Sequence, residues 1–180
     1  MSKTLLVRYG VIPEVARFAH DLAEAPRREE RVVVNSHRGL ELGTTLENLR
    51  QPTPVPARSG NAVAPPGAQA PEFRVLRRAT SADEALHAEL RREAEQSFSQ
   101  WRQRIRDWNL DLELLDIEWT LDRQKLVLYV LAGRGAETTK LALQAAAAGL
   151  AVVEVQPVGT NGPVPLPTGG GCGSGSCGCH

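Results

Sequence analysis

Cysteine is missing from the whole of Met1 to Gly171. A secreted disulfide scaffold spreads its cysteines through the fold, where they close loops, so that class is excluded. Net charge is missing as well: 21 Lys and Arg balance 21 Asp and Glu. No overall field draws this chain to phosphate, which leaves only a local basic face as an argument for nucleic acid or an anionic membrane. There is no apolar run of about eighteen residues, so no membrane span is expected. The start, MSKTLLVRYGVIPEV, lacks the basic, apolar and small-residue order of a signal peptide. A cytoplasmic protein is predicted. Also missing are G-x-S-x-G, a phosphate-binding P-loop and H-E-x-x-H. His20, His37 and His87 share no motif with a Cys, Asp or Glu at metal or triad spacing. A non-enzymatic role follows as the expectation.

Composition divides what is present into an α+β body and a tail. Residues 3 to 49 carry short apolar runs, KTLLVRYG, EVARFAH and RVVVNS, and then HRGLELGTTLE, separated by Gly and Pro. They predict a small antiparallel, barrel-like sheet. Residues 51 to 72 hold six prolines and almost no bulky apolar side chain, the composition of a loop or linker. An inserted loop is favoured over a domain boundary, because the strands before it look too few for an independent core. Residues 1–158 are therefore read as one domain and 159–180 as a flexible Gly- and Cys-rich tail.

From FRVLRRAT onward the pattern predicts β-α-β-β-α-β. Ser81 and Glu84 have capping-box spacing. Leu86, Leu90, Ala94, Phe98 or Trp101, Ile105 and Trp108 then recur at three- and four-residue steps. That is one apolar stripe along a helix of roughly 25 residues. Leu115, Ile117, Trp119 and Leu121 are assigned to one face of the next strand, with Asp116, Glu118 and Thr120 on its wet face. KLVLYVLA is apolar on both faces and predicts a central strand. ETTKLALQAAAAG predicts a helix closed by Gly149, and AVVEVQPV a last strand stopped by Pro157. Such an order commonly builds an antiparallel sheet with both helices on one face.

The sharpest local feature is the end of the chain. Cys172, Cys177, Cys179 and His180 place four soft or borderline donors in nine residues, spaced C-x4-C-x-C-H. Thiolates and imidazole suit zinc, copper(I) or an iron–sulfur centre. The spacing matches none of the standard zinc patterns, and Gly and Ser offer little outer-shell support. Metal or cluster ligation, alone or shared with a partner, stands beside incidental cysteines in a Gly-rich tail. A second candidate surface is the long helix, with Arg91, Arg92, Arg102, Arg104 and Arg106. Its arginines alternate with glutamates as on a solvated face. Trp101 and Trp108 lie on its apolar stripe, where core packing is favoured over base stacking. The glycines of RGLELG are read as turns that need no ligand, and Asp116 with Glu118 as wet carboxylates.

Several stretches together resemble the PSP-type C-terminal domain family, whose bacterial members include the RicT (YaaT) proteins. They are VRYG and PEVARF, RVVVNSHRGLELGTTLE, and FRVLRRATSADEALH running on to NLDLELLDIEWTLDRQKLVLYVLAG. The resemblance implies a cytoplasmic regulatory subunit in a complex with two small helical partners. Such a complex binds iron–sulfur clusters and modulates RNA processing by ribonuclease Y, and its members are not known as enzymes. RicT-like chains carry a cysteine-rich module with CC pairs, whereas this sequence reads CGSGSCGCH. Cluster ligands therefore do not transfer residue by residue, and Cys172, Cys177 and Cys179 are expected to act by analogy. Two other readings stay open. One is an RNA-binding or ribonuclease-associated module with an irrelevant tail. The other is a metal-handling protein that passes zinc or copper(I) to clients.

Overall fold

The computed structural model describes residues 3–49, 73–131, 136–159 and 162–164. Five strands close into a barrel: β1 (Lys3–Tyr9), β2 (Glu14–His20), β3 (Arg31–Asn35), β4 (Leu40–Leu49) and β5 (Phe73–Arg78), in the order β1-β2-β5-β3-β4. Period-2 alternation decides what enters it. Leu5, Val7 and Tyr9 of β1, Val32 and Val34 of β3, Phe18 and Val75 form the interior cluster. Gly10, at φ +79°, turns β1 into β2. Gly39, at φ +131°, closes the β3–β4 hairpin, where the Ser36 N–H donates to the Gly39 carbonyl.

Strand β5 departs from expectation. The predicted β-α-β-β-α-β order of elements is present, but β5 does not join the second sheet. It pairs antiparallel with β3 and, over two residues, parallel with β2. The reason lies in its side chains. In FRVLRR only Val75 is buried, so β5 has no second apolar face for a central position, while it closes the open edge of the barrel. The Pro-rich stretch 51–72 lies outside the described residues, and strands on both sides of it belong to this barrel.

The second sheet is β6 (Glu113–Trp119), β7 (Lys125–Leu131), β8 (Val152–Gly159) and β9 (Gly162–Pro163), in that order. It is mixed rather than antiparallel. β7 and β8 run parallel because α2 (Glu137–Ala147) carries the chain back over the sheet, as a crossover requires. β8 continues through Pro157, near the sheet edge, where a missing N–H is tolerated. A bulge between Leu114 and Asp116 also overturns the face assignment in β6. Leu114 and Ile117 are buried while Leu115 is exposed, because the extra residue shifts the alternation by one.

Helix α1 (Ser81–Asp107) and α2 cover one face of this sheet. Ala94, Trp101 and Ile105 of α1 and Leu141 and Ala145 of α2 pack on Leu126, Leu128 and Val130 of β7. The stripe read from sequence is this face from Ala94 onward, whereas Leu86 and Leu90 at its start pack with Val33, Leu42 and Leu121. The cap is one residue earlier than expected: Thr80 is the N-cap, bonded reciprocally with Asp83. The sequence TSADE offers two overlapping capping registers. Arg77 selects one by donating to Asp83 at 2.8 Å, while Glu84 is held by Arg31 at 3.1 Å. Gly149, at φ +65°, ends α2 as predicted. No described helix is long and apolar enough to cross a membrane.

Of the described glycines, Gly43 leaves the least room for a side chain. A Cβ there would lie 2.5 Å from Val7 Cγ1 and 3.3 Å from the Arg8 carbonyl oxygen. Gly43→Ala is therefore expected to destabilise by about 1–3 kcal/mol through overpacking. Adding Val7→Ala should recover part of that loss in a double-mutant cycle read by urea unfolding. Additive losses would show that the two sites do not press on each other.

Candidate functional site

Where the barrel meets the second sheet, the structure buries a charge. Arg38 sits at the tip of the β3–β4 hairpin, and its side chain has no exposed surface. Its Nη1 donates to Glu14 at 2.7 Å and to the Tyr129 hydroxyl at 2.9 Å. Nη2 lies 3.0 Å from Glu41 Oε1 without hydrogen-bond alignment. The guanidinium also stands over the Tyr9 ring, 5.0 Å from its centroid. Tyr129 passes the connection on by donating to Glu118 at 2.8 Å. Glu118 accepts a second bond, at 2.9 Å, from the Val11 N–H in the β1–β2 turn. Gly10 is required beside this group, since a Cβ there would come within 2.7 Å of Arg38 Nη2.

One cation therefore faces three carboxylates and two phenols. Burial works against the Arg38 charge, and the carboxylates, Glu41 foremost, outweigh it and hold the guanidinium protonated. The surplus of acid falls on Glu41. Burial pushes its pKa up from 4.5 to about 7, against the pull of Arg38 and with the Glu118 charge adding to the rise. Ser36 donates a short hydrogen bond to the same carboxylate. Burial and the nearby acids likewise raise Tyr9 and Tyr129 above the usual phenol range, so both remain O–H donors.

Beside this cluster opens a cleft of about 240 Å³ between the barrel, α1 and β6. The sheet register builds one wall of it. Arg8 of β1 and Arg31 of β3 are both paired with Thr44 of β4, so the three side chains form a row on the outer surface. Arg31 donates to Thr44 Oγ1 at 3.1 Å. His87 and Arg91, one turn apart on α1, face the row, and Leu90 and Trp119 supply apolar lining. Arg91 is spent on Asp116, at 2.7 and 3.2 Å. Burial first, then the neighbouring Arg31, lowers the His87 pKa, which keeps the imidazole neutral.

The other candidates from the sequence are placed as follows. Cys172, Cys177, Cys179 and His180 lie outside the described residues. Among the described residues no group of three or more His, Cys, Asp and Glu is arranged to hold a metal ion. His20 is buried with neither ring nitrogen bonded among the described residues, and His37 approaches Glu154 at 4.0 Å. Trp101 is buried, which leaves it no free face for a base, and Trp108 is half-buried against the core. On the arginine-bearing face, Arg102 pairs with Glu113 and Arg104 stacks on Trp101. Sequence reasoning missed Arg38, Glu14, Glu41 and Tyr129, and it placed Glu118 in water. The available signal was Glu41 at an inward position of β4, an acid that needs a buried cation.

Residues 73–141 match a family described as PSP1 C-terminal conserved region. The matched stretch runs from β5 through α1, β6 and β7 into α2, and it contains His87, Arg91, Glu118, Trp119 and Tyr129. Arg8, Glu14, Arg31, Arg38, Glu41 and Thr44, the barrel half of the site, precede it. No curated protein and no solved structure matches the chain.

Two substitutions test the buried cluster. Arg38→Met removes the sole cation among these acids and is expected to cost about 3–5 kcal/mol. Glu41 predicts a pH dependence. Its pKa in the fold, about 7, lies above the ordinary 4.5, so the folded chain holds a proton that the unfolded chain releases between those values. Stability contributed by the neutral carboxyl is complete below about pH 4.5 and is lost as pH rises through about 7. Glu41→Gln should remove that slope. It should match the parent at pH 5 and exceed it at pH 8 by on the order of 2–3 kcal/mol in urea unfolding. Parallel profiles for the two proteins would refute this.

Proposed function

We propose that this protein is a non-enzymatic, cytoplasmic regulatory or scaffold subunit of the RicT type, acting in a protein complex linked to RNA processing. Its partners would be other protein subunits, ribonuclease Y among them, and contact with RNA would be indirect. The observation that supports this most directly is the PSP1 C-terminal conserved region at residues 73–141, on a chain that also holds a thiolate-rich tail. The rigid join between barrel and sheet through Arg38 supports a scaffold role, since it fixes the surfaces that partners would meet.

In this reading Cys172, Cys177, Cys179 and His180 are ligands to an iron–sulfur cluster or zinc. The donor set fits by chemistry: three thiolates and one imidazole are four ligands of the kind both groups accept. Shared ligation with a partner is equally compatible. A cluster bound there would supply redox or oxygen sensitivity, and the chain's own part would be to present thiolates. Because no cysteine lies between Met1 and Gly171, replacing all three by serine should leave the fold and its melting temperature intact.

Purification without oxygen, followed by iron, sulfide and zinc analysis and a visible spectrum, tests the reading. Full-length protein is compared with a truncation ending at Thr168. A broad charge-transfer band with iron and sulfide, lost on truncation, is the expected result. Colourless zinc or copper lost on truncation would replace it with the metal-handling role. Absence of metal from both proteins would sink ligation by this chain alone. A large fall in melting temperature of the metal-free triple-serine variant would contradict a tail separate from the core.

A further inference from the structure

The cleft between the barrel, α1 and β6 has no part in the reading above, and its donors point to a ligand of their own. Arg8 is exposed, and among the described residues it makes no ion pair or hydrogen bond. Arg31 spends Nε on Glu84 and Nη1 on Thr44, which leaves Nη2 without a bond among the described residues. His87 is half-buried on α1 and lines the same space. Three donors thus approach from three elements, β1, β3 and α1. Arg8 and Arg31 flank Thr44 in register, so their Cα atoms are two strand spacings apart, about 10 Å. That separation leaves room for one tetrahedral anion above Thr44, held from both sides.

Charge balance narrows the ligand. Arg31 is compensated by Glu84 and Arg91 by Asp116 and Glu95, while Glu118 accepts from Tyr129 and the Val11 N–H and its charge is opposed by the buried Arg38. Arg8 is left as the one cation of the lining without a counter-ion among the described residues. A polyanion would find too little positive charge here, whereas a single phosphoryl group would find one cation and several oriented N–H and O–H donors. The remaining wall, Leu42, Leu90 and Trp119, is apolar and suits a flat or hydrocarbon group. At about 240 Å³ the space lies at the small end of ligand sites, about 300 Å³, so a ligand no larger than a mononucleotide would fill it.

The geometry points to a binding site for a small phosphomonoester of mononucleotide size, with its phosphate between Arg8, Arg31 and His87 and its apolar part against Leu42, Leu90 and Trp119. This site is independent of the tail and of any metal, so it stands or falls separately from the proposed function.

Titration calorimetry on the full chain at low ionic strength tests it, with adenosine monophosphate, inorganic phosphate and adenosine as probes. The mononucleotide should saturate one site in the sub-millimolar range, and adenosine should not saturate. Arg8→Ala should weaken binding about ten-fold, the worth of one charge-assisted contact, and Arg8→Lys should recover part of it. Because Arg8 is exposed and unpaired, its melting temperature should stay at the parent value. His87→Ala should weaken binding by a smaller factor. Absence of saturation, equal affinity in Arg8→Ala, or phosphate binding as tightly as the mononucleotide would each overturn the assignment. An RNA oligonucleotide binding through Arg8 while the mononucleotide fails would overturn it in favour of a nucleic-acid contact.

Discussion

Arg38 reaches from the tip of a barrel hairpin into the face of a separate sheet, and it does so with no access to water. A buried guanidinium is tolerated only when its lost hydration is replaced by close acceptors. Here those acceptors come from both halves of the molecule, Glu14 from the barrel and Tyr129 from β7, with Glu41 close beside them. Sliding one half against the other would separate the charge from part of its compensation. The low dielectric that makes the group costly to bury also makes its geometry specific. The ring of Tyr9 beneath the guanidinium adds a contact that depends on the same placement.

The cleft follows from this arrangement. Glu118 is fixed by Tyr129 from its own sheet and by the Val11 N–H of the β1–β2 turn, so the turn and β6 are tied together at the cleft's inner end. The outer surface of the barrel then faces α1. Val33 and Leu42 pack on Leu90 and Leu121 there, and that apolar contact holds α1 at the distance that leaves Arg8, Thr44 and Arg31 facing His87. A closed barrel supplies straight strand register and a helix supplies a second wall. The space between them is lined by residues that neither element buries.

The match to the PSP1 C-terminal conserved region spans β5 of the barrel, α1, β6, β7 and the start of α2. β5 is where that region begins, and β5 is the strand that pairs with both β2 and β3. The matched stretch is thus built into the barrel rather than appended to it. The bulge at Leu115, which turns Ile117 into the core, sits in the same stretch, as does Tyr129.

Much of this was legible in the chain. Short β-branched runs broken by Gly and Pro predicted the barrel. The stripe from Leu86 to Trp108 predicted α1 and its buried face, and Gly149 predicted the end of α2, because local periodicity and the φ preference of glycine act within one element. The partner of β5 was not legible, since strand pairing is a contest among edges distant in sequence and is won by whichever edge leaves fewest groups unbonded. The cap register of α1 turned on Arg77 and Arg31, which reach it from neighbouring strands. The buried cluster was hidden for the same reason: Glu14, Arg38, Glu41, Glu118 and Tyr129 are unremarkable in sequence and become a site only when two sheets meet. Local sequence determined which residues form strands and helices and which faces are apolar. Tertiary structure alone decided which strand closes the barrel and which charges lose their water, because both depend on long-range contacts that no spacing along the chain encodes.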